Sequence, residues 1–488
     1  MKNKKVIHII ILVIMALLIS GTVYMKYYLA SSNFDEFIFN STSVGSSDFT
    51  LIYGIIKLCL PITIILSIIF YIIFYGFKTK RKTISPINHI SKHKLIYTII
   101  LSICSVAAFF ESYRLFEYLI DMSQKSNIIE DNYIDPKETK ISFKNKKRNL
   151  IVIYVESLEN TLFTKEQGGL WDYEIIPELY TLLNDEDTIV FNKNYNGMHM
   201  LQGTSYTSAA VAANNTGLPL KIGINRQGYK KGNFMNGAYS LGEILKENGY
   251  TNEVISGAKT SFGGLDNFYK VHGDYNIIDL DSLADYGYSI TKSGYGKWGF
   301  NDKYLFELAE QRLDVLTKED KPFNLQLITI DTHFTDGFVG DYSLTKYDRQ
   351  YENAYATTSK LIYEFVNYVK EQPYYKDTTI VITGDHLLMQ SNFVNDHMFK
   401  NRTIYNCIIN PIDKSIPSDN RVYTAIDMYP TIINSIGGEI EGNKLGLGVN
   451  LYSNEKTLIE TYGINKLDKE LRKKSNYYNK NILKESRK

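Results

Sequence analysis

Three short apolar runs in the sequence each stop at, or one residue before, a residue able to bind a metal or move a proton. Leu150–Val155 is followed by Glu156, Asn324–Ile330 by Asp331-Thr332-His333, and Thr378–Thr383 by Gly384-Asp385-His386. Taken alone, each reads as a cap or turn former. Together they bring carboxylates and imidazoles to one rim, the oxygen-and-nitrogen donor set of a divalent-metal site. A fourth stretch, Gly203-Thr204-Ser205-Tyr206-Thr207-Ser208, leads into the small-residue run Ala209–Ala213, which reads as a helix start. A hydroxyl in a first helical turn sits among free backbone N–H groups that favour an anion such as phosphate. For Thr204 by itself a plain helix cap is the simpler explanation.

The elements that must carry these residues alternate in type. Leu241–Glu247 reads as a helix closed by Asn248-Gly249, followed by a strand at Glu253–Ile255. Helical periodicity over Tyr304–Leu316 precedes the strand Asn324–Ile330, and Tyr355–Val369 precedes Thr378–Thr383. Tyr405–Ile409 is a further strand, and Asp427–Ile436 a helix with a Gly437-Gly438 cap. Such alternation predicts an α/β domain with a mostly parallel central sheet. Ligands in that architecture bind outside the carboxyl ends of the strands, where the three candidate sites fall.

Upstream the composition changes. Apolar runs at Val6–Tyr24, Leu58–Phe77 and Leu95–Phe110, the last continuing weakly to Ile120, predict a membrane domain over 1–122. Its three spans are expected at about 6–25, 58–77 and 95–115. The first run exceeds a signal-peptide h-region, lacks a small-x-small cleavage site and is followed by further spans. The connection from Lys78 to Lys94 is basic, whereas Asp35, Glu36 and Asp48 make the preceding one mildly acidic. The positive-inside rule then puts the N-terminus in the cytoplasm and everything after about Met122 outside it. Residues 123–148 read as a juxtamembrane linker, 149–452 as the extracytoplasmic catalytic domain and 453–488 as a charged, peripheral tail. Lys+Arg 54 against Asp+Glu 53 excludes a strongly basic nucleic-acid binder. The three cysteines, Cys59, Cys104 and Cys407, supply no disulfide framework to the soluble part.

Read in order, the motifs resemble one family. They are N-L-I-V-I-Y-V-E-S-L-E (Asn149–Glu159), G-T-S-Y-T with the later G-L-P-L (Gly217–Leu220), and N-F-M-N-G-A (Asn233–Ala238). K-W-G-F-N-D (Lys297–Asp302), D-T-H-F, G-D-H, I-D-M-Y-P-T-I-I (Ile426–Ile433) and G-L-G-V-N-L (Gly446–Leu451) complete the set. The chain is similar to the membrane-anchored phosphoglycerol transferases of the sulfatase/alkaline-phosphatase superfamily. Relatives there are the glucan-modifying phosphoglycerol transferases and the lipoteichoic acid synthases. V-E-S-L-E and N-F-M-N-G-A bring it nearer the glucan-modifying branch, and the lipoteichoic branch usually has five spans. The resemblance implies an alkaline-phosphatase/sulfatase-like fold and one divalent cation held by Glu156, Thr204, Asp385 and His386. Thr204 would also be the nucleophile, forming a covalent phospho-threonine-type intermediate. His333 would contact the phosphate and Trp298 would line the substrate pocket. His397 falls where related phosphoethanolamine transferases place a second phosphate-binding histidine, with a surface role as the alternative. The oxygen-rich set favours Mn²⁺, with Mg²⁺ or, because of His386, Zn²⁺ as alternatives. Implied partners are phosphatidylglycerol or a similar phospholipid donor, a glycan or glycerol-phosphate polymer acceptor, and the membrane; none is a nucleic acid.

Rival readings stay open at this point. A true sulfatase needs C/S-x-P-x-R, and Cys407 lies in Y-N-C-I-I-N, so that chemistry is absent. A phosphoethanolamine transferase or a phosphodiesterase would use the same residues. A catalytically inactive surface receptor is the non-enzyme alternative, although a binding module has no need of a metal-held hydroxyl.

Overall fold

The computed structural model describes residues 2–28, 49–76, 89–90, 92–143, 147–194, 197–221, 232–288, 299–390, 392–395 and 397–484. Two compact units separate. One holds the N-terminal helices up to Ile120 together with Met389–Phe393, and the other the rest from Asp121 onward.

In the first unit, near-continuous apolar sequence forms helices α1 (Lys2–Tyr28), α2 (Phe49–Tyr75) and α3 (Lys94–Ser112). Within them Asn3–Lys26, Ile56–Tyr75 and Lys94–Ser112 are long and apolar enough to cross a membrane. The third stops short of residue 115 because Arg114 turns left-handed, at φ 50°. Small polar residues let the helices approach. Ser20 Oγ lies 2.8 Å from Thr63 Oγ1 between α1 and α2. A Cβ on Gly21 of α1 would come within 3.3 Å of the Phe109 ring on α3. His8 joins all three helices. Thr98 Oγ1 donates to the Lys94 carbonyl (2.7 Å), so it accepts from His8 Nε2 (2.6 Å), leaving Nδ1 to accept from Tyr75 Oη (2.7 Å).

In the second unit the strands of the main sheet are β1 (Asn149–Val155), β2 (Thr188–Ile189), β3 (Gly197–Met198) and β4 (Thr251–Ser256). They continue with β5 (Asn276–Ile278), β6 (Phe323–Ile328), β7 (Thr378–Gly384) and β8 (Ile404–Ile409). The sheet runs β2-β8-β7-β1-β6-β4-β5, with β3 also paired to β8. From β7 to β5 all pairings are parallel, and β8 turns antiparallel against β7. The main helices are α4 (Thr207–Thr216), α5 (Leu241–Glu247), α6 (Asp302–Leu316), α7 (Gln350–Lys370), α8 (Ala425–Ser435) and α9 (Ile464–Arg472). Central strands covered on both faces are rich in apolar residues, and β6 and β7 are buried at every residue. The two polar residues inside β6 are hydrogen-bonded, as burial requires. Asn324 donates to Asn252 and Tyr275, and Gln326 to Asn215 and Tyr275.

Both flanks of the domain are folded into it. Ile128 and Ile129, in the stretch expected as linker, join the main core, and Ile141–Phe143 pairs antiparallel with Gly438–Ile440. The expected peripheral tail is likewise packed: Leu467, Leu471, Tyr478, Ile482 and Leu483 belong to the same core. Charge along α9 hides an apolar stripe in which Leu467 and Leu471, four residues apart, face inward.

Candidate functional site

Register brings the motifs together. Val155 pairs with Gly384 and Tyr154 with Ile328, so β1, β7 and β6 end side by side. Glu156, Asp385-His386 and the Thr329–His333 loop therefore leave the same edge of the sheet. Ser157 adopts a left-handed conformation (φ 54°), turning the chain sharply after Glu156. Its N–H donates to Asp385 Oδ1 at 2.8 Å, and its hydroxyl donates to Glu156 Oε1 at 2.6 Å. The Glu156 N–H donates to Thr329 Oγ1 (3.0 Å), and Thr332 Oγ1 donates to the Glu156 carbonyl (2.6 Å). These bonds fix Glu156 to both neighbouring strand ends.

One ligand atom each from Glu156, Asp385 and His386 lies within 4.8 Å of the others, and all three residues are buried. His386 Nδ1 faces the Leu387 carbonyl at 2.9 Å and must carry a proton, because a carbonyl only accepts. In the neutral ring Nε2 then presents a lone pair, 3.4 Å from Glu156 Oε1 and 3.5 Å from Asp385 Oδ2. Lone pair and carboxylates repel one another unless a cation or a proton sits among them. Asp385 Oδ2 is buried and accepts no hydrogen bond of normal geometry. Burial, then the Glu156 charge, pushes the Asp385 carboxyl up to about 6. Neither carboxylate pairs with a lysine or arginine among the described residues. An orphaned oxygen, a second carboxylate and a correctly oriented imidazole fit a divalent cation.

Two hydroxyls reach this group: that of Ser157, on Glu156 Oε1, and that of Thr207, with Oγ1 at 3.4 Å from Glu156 Oε2. Thr204 is not brought there. Its hydroxyl donates to the Leu201 carbonyl (2.9 Å) and accepts from the Leu201 N–H (3.1 Å), and the residue is fully buried. The physical reason is where the helix begins. Tyr206 is the N-cap and Thr207 the first residue of α4, so Thr207 occupies the first-turn place that the sequence assigns to Thr204. Gly203 makes the preceding turn at φ 80°, where a Cβ would meet the Leu220 carbonyl at 2.9 Å. Ala209, Ala210, Ala212 and Ala213 are fully buried, so a helix of small residues lies close in the core.

The remaining expected residues fall in different places. His333 lies at the same edge, half-buried, with Nδ1 donating to the Phe334 carbonyl at 2.7 Å. Its ring stacks on Phe334 at 5.1 Å. His397 is exposed, its N–H bound to Asn395 Oδ1, and it is not part of the acid–imidazole group. Trp298 lies outside the described residues. Sequence reasoning missed the support beneath the site. Glu159 accepts from Arg402 Nε (2.9 Å), Arg402 Nη2 (2.5 Å) and the Leu388 N–H (2.7 Å), tying the V-E-S-L-E turn to the chain just past His386. Removing one member would leave a buried charge unpaired, a loss of about 3–5 kcal/mol. The second Glu of V-E-S-L-E was the available signal.

A sulfatase family profile matches residues 148–438. Phosphoglycerol transferase I of Salmonella choleraesuis (strain SC-B67) is 30% identical over 333 residues, covering 65% of this chain and 41% of that protein. The chain thus spans about two fifths of the length of the curated relatives it matches. Among solved structures, the lipoteichoic acid synthase LtaP from Listeria monocytogenes aligns with a TM-score of 0.51 at 20% identity, covering 67% of this chain and 82% of that one. Lipooligosaccharide phosphoethanolamine transferase A, an integral membrane protein from Neisseria meningitidis, aligns with a TM-score of 0.51 at 12% identity. That alignment covers 89% of this chain and 84% of the other. At these identities the two structures speak to the fold.

Proposed function

From the premise that this chain belongs to the sulfatase family, we propose that it is a membrane-bound phosphotransferase moving phosphoglycerol from phosphatidylglycerol to a cell-envelope glycan or polymer. The observation that carries this reading is the Thr207 hydroxyl, first in its helix and against Glu156 of the buried acid–imidazole group. Glu156, Thr207, Asp385 and His386 would hold the cation, Mn²⁺ first among the candidates. A bound divalent cation lowers the hydroxyl's pKa and draws charge from the phosphoryl oxygens. Thr207 Oγ1 gives up its proton to water and attacks the lipid phosphodiester, forming a phosphoglycerol–threonine ester while the bond to the diacylglycerol oxygen breaks. His333 protonates that leaving oxygen or holds a non-bridging phosphoryl oxygen. An acceptor hydroxyl then displaces Thr207, whose oxygen recovers a proton. If water enters in place of the acceptor, the same residues make a phosphodiesterase.

Purified full-length protein in phosphatidylglycerol liposomes with Mn²⁺ is expected to release diacylglycerol, faster when a glycan acceptor is added. Release without acceptor stimulation selects the phosphodiesterase. No release from phosphatidylglycerol with Mn²⁺, Mg²⁺ or Zn²⁺ removes the phosphoglycerol reading, and release from phosphatidylethanolamine alone would put a phosphoethanolamine transferase in its place. The basic Lys78–Lys94 connection supports an extracytoplasmic catalytic domain. Protease added to intact spheroplasts should therefore digest residues beyond about Met122. Full protection there, with digestion only after lysis, reverses the topology.

A further inference from the structure

Just past the end of β6, two buried carboxyl groups face each other's backbone. Asp302, the first residue of α6, accepts from the N–H groups of Ile330 (2.7 Å) and Asp331 (3.2 Å) through Oδ1 and from Thr358 Oγ1 (2.9 Å) through Oδ2. Asp331 returns the contact: its Oδ2 accepts from the Asp302 N–H (3.1 Å) and from the Tyr342 hydroxyl. The Asp331 carbonyl also closes the loop beyond His333 by accepting from the Phe338 N–H (2.6 Å). Between Asp331 and His333, Thr332 is held at both ends: its hydroxyl donates to the Glu156 carbonyl and its carbonyl accepts from Tyr351 Oη at 2.8 Å. Backbone that emerges from a strand and must present a half-buried histidine is thus fastened to α6, α7 and β1.

We propose that Asp302 and Asp331 are positioning residues that act as a pair, a carboxylate and a carboxylic acid capping each other's backbone to set the His333 loop against Glu156. The hydrogen-bond inventory assigns the forms. Three donors converge on Asp302, as an anion requires. Asp331 has two donors on Oδ2, while its Oδ1 is buried with no partner, an arrangement costly for a charge and cheaper for a neutral acid. Neither carboxyl pairs with a lysine, arginine or histidine among the described residues. The groups facing the pair are the Tyr342 hydroxyl, the Glu156 charge and, 6.0 Å from the Tyr342 ring centre, the Lys303 ammonium. Burial pushes Asp302 up to about 6, and burial followed by the Asp302 charge holds Asp331 well above the usual carboxylate range.

This inference rests on the proposed phosphotransfer only for its kinetic readout. Full-length Asp302→Asn, Asp331→Asn and Thr358→Val proteins are compared with wild type by hydrogen exchange, bound-metal content and diacylglycerol release from phosphatidylglycerol vesicles. In Asp302→Asn, the Ile330 and Asp331 amides should exchange about tenfold faster or more. Its kcat should fall by a similar factor, with KM and metal content unchanged. Thr358→Val, which removes one donor, should lie between, and it decides the matter if Asp302→Asn does not fold. Asp331→Asn mimics the acid and should stay within about twofold of wild type in exchange and kcat. Asp331, protonated when folded, costs the wild type stability as pH rises above the unfolded value near 3.8. The Tm of Asp331→Asn relative to wild type should therefore rise between pH 4 and pH 8. Three results overturn the pair: Asp331→Asn behaving like Asp302→Asn, unchanged exchange in both Asp302→Asn and Thr358→Val, or loss of a bound cation from Asp331→Asn. A wild type inactive on vesicles refutes the phosphotransfer reading instead, and the exchange data still decide the pair.

Discussion

Thr207→Ala is expected to abolish transfer, lowering kcat by roughly three orders of magnitude or more, while the protein stays folded. Thr207 is half-buried at a helix start, and its hydroxyl touches a carboxylate rather than closing a turn. Deleting it removes the oxygen proposed to attack the phosphodiester, at little structural expense. Thr204→Ala should do the reverse. It breaks the turn bonds to Leu201, at about 1 kcal/mol of stability, and leaves transfer within a few-fold of wild type. With acceptor withheld, a head-group-labelled lipid should label wild type and Thr204→Ala covalently but not Thr207→Ala. Thr207→Ser keeps a hydroxyl and should retain measurable turnover. If Thr204→Ala lost the label and Thr207→Ala kept it, the chemistry would have to be moved back to the buried residue.

That pair shows why part of the site is legible in the sequence and part is not. Glu156, Asp385 and His386 follow strands buried on both faces, and such strands announce themselves as short runs rich in apolar and β-branched residues with polar residues just beyond. Parallel pairing does the rest, since ends in register bring the next residues together. Thr204 and Thr207 differ only in where a helix begins. A helix of Ala, Ser and Asn buried on every side has no amphipathic period to mark its first turn. Asp302 and Asp331 lie in motifs that the sequence displays, K-W-G-F-N-D and D-T-H-F. Their pairing is a tertiary fact, with nearly thirty residues between them. The packed C-terminal region was hidden differently: Lys466, Asp468, Lys469, Glu470 and Arg472 on α9 outweigh two leucines in any composition window.

Asp385→Asn and His386→Ala should each lose the bound divalent cation and, with it, activity by roughly three orders of magnitude. Metal content after gel filtration gives a readout independent of turnover. It should drop from about one per chain to near zero, because each change removes one of few donors. The Asp385 variant carries a sharper signature. Without a cation the wild type keeps two carboxylates and an imidazole together in a buried site, with Asp385 Oδ2 unpartnered, so chelation should lower its Tm. Asparagine at 385 has nearly the same shape. It can still accept the Ser157 and His386 N–H groups through its carbonyl oxygen, and its amide can donate where Oδ2 is now orphaned. The Tm of Asp385→Asn should therefore be insensitive to chelator and equal to or above that of the chelated wild type. A purely structural role for Asp385 predicts the opposite, a Tm below the chelated wild type with metal content unchanged. Glu156→Gln separates the two again, since it too should lose the cation while relieving the charge that pushes Asp385 up.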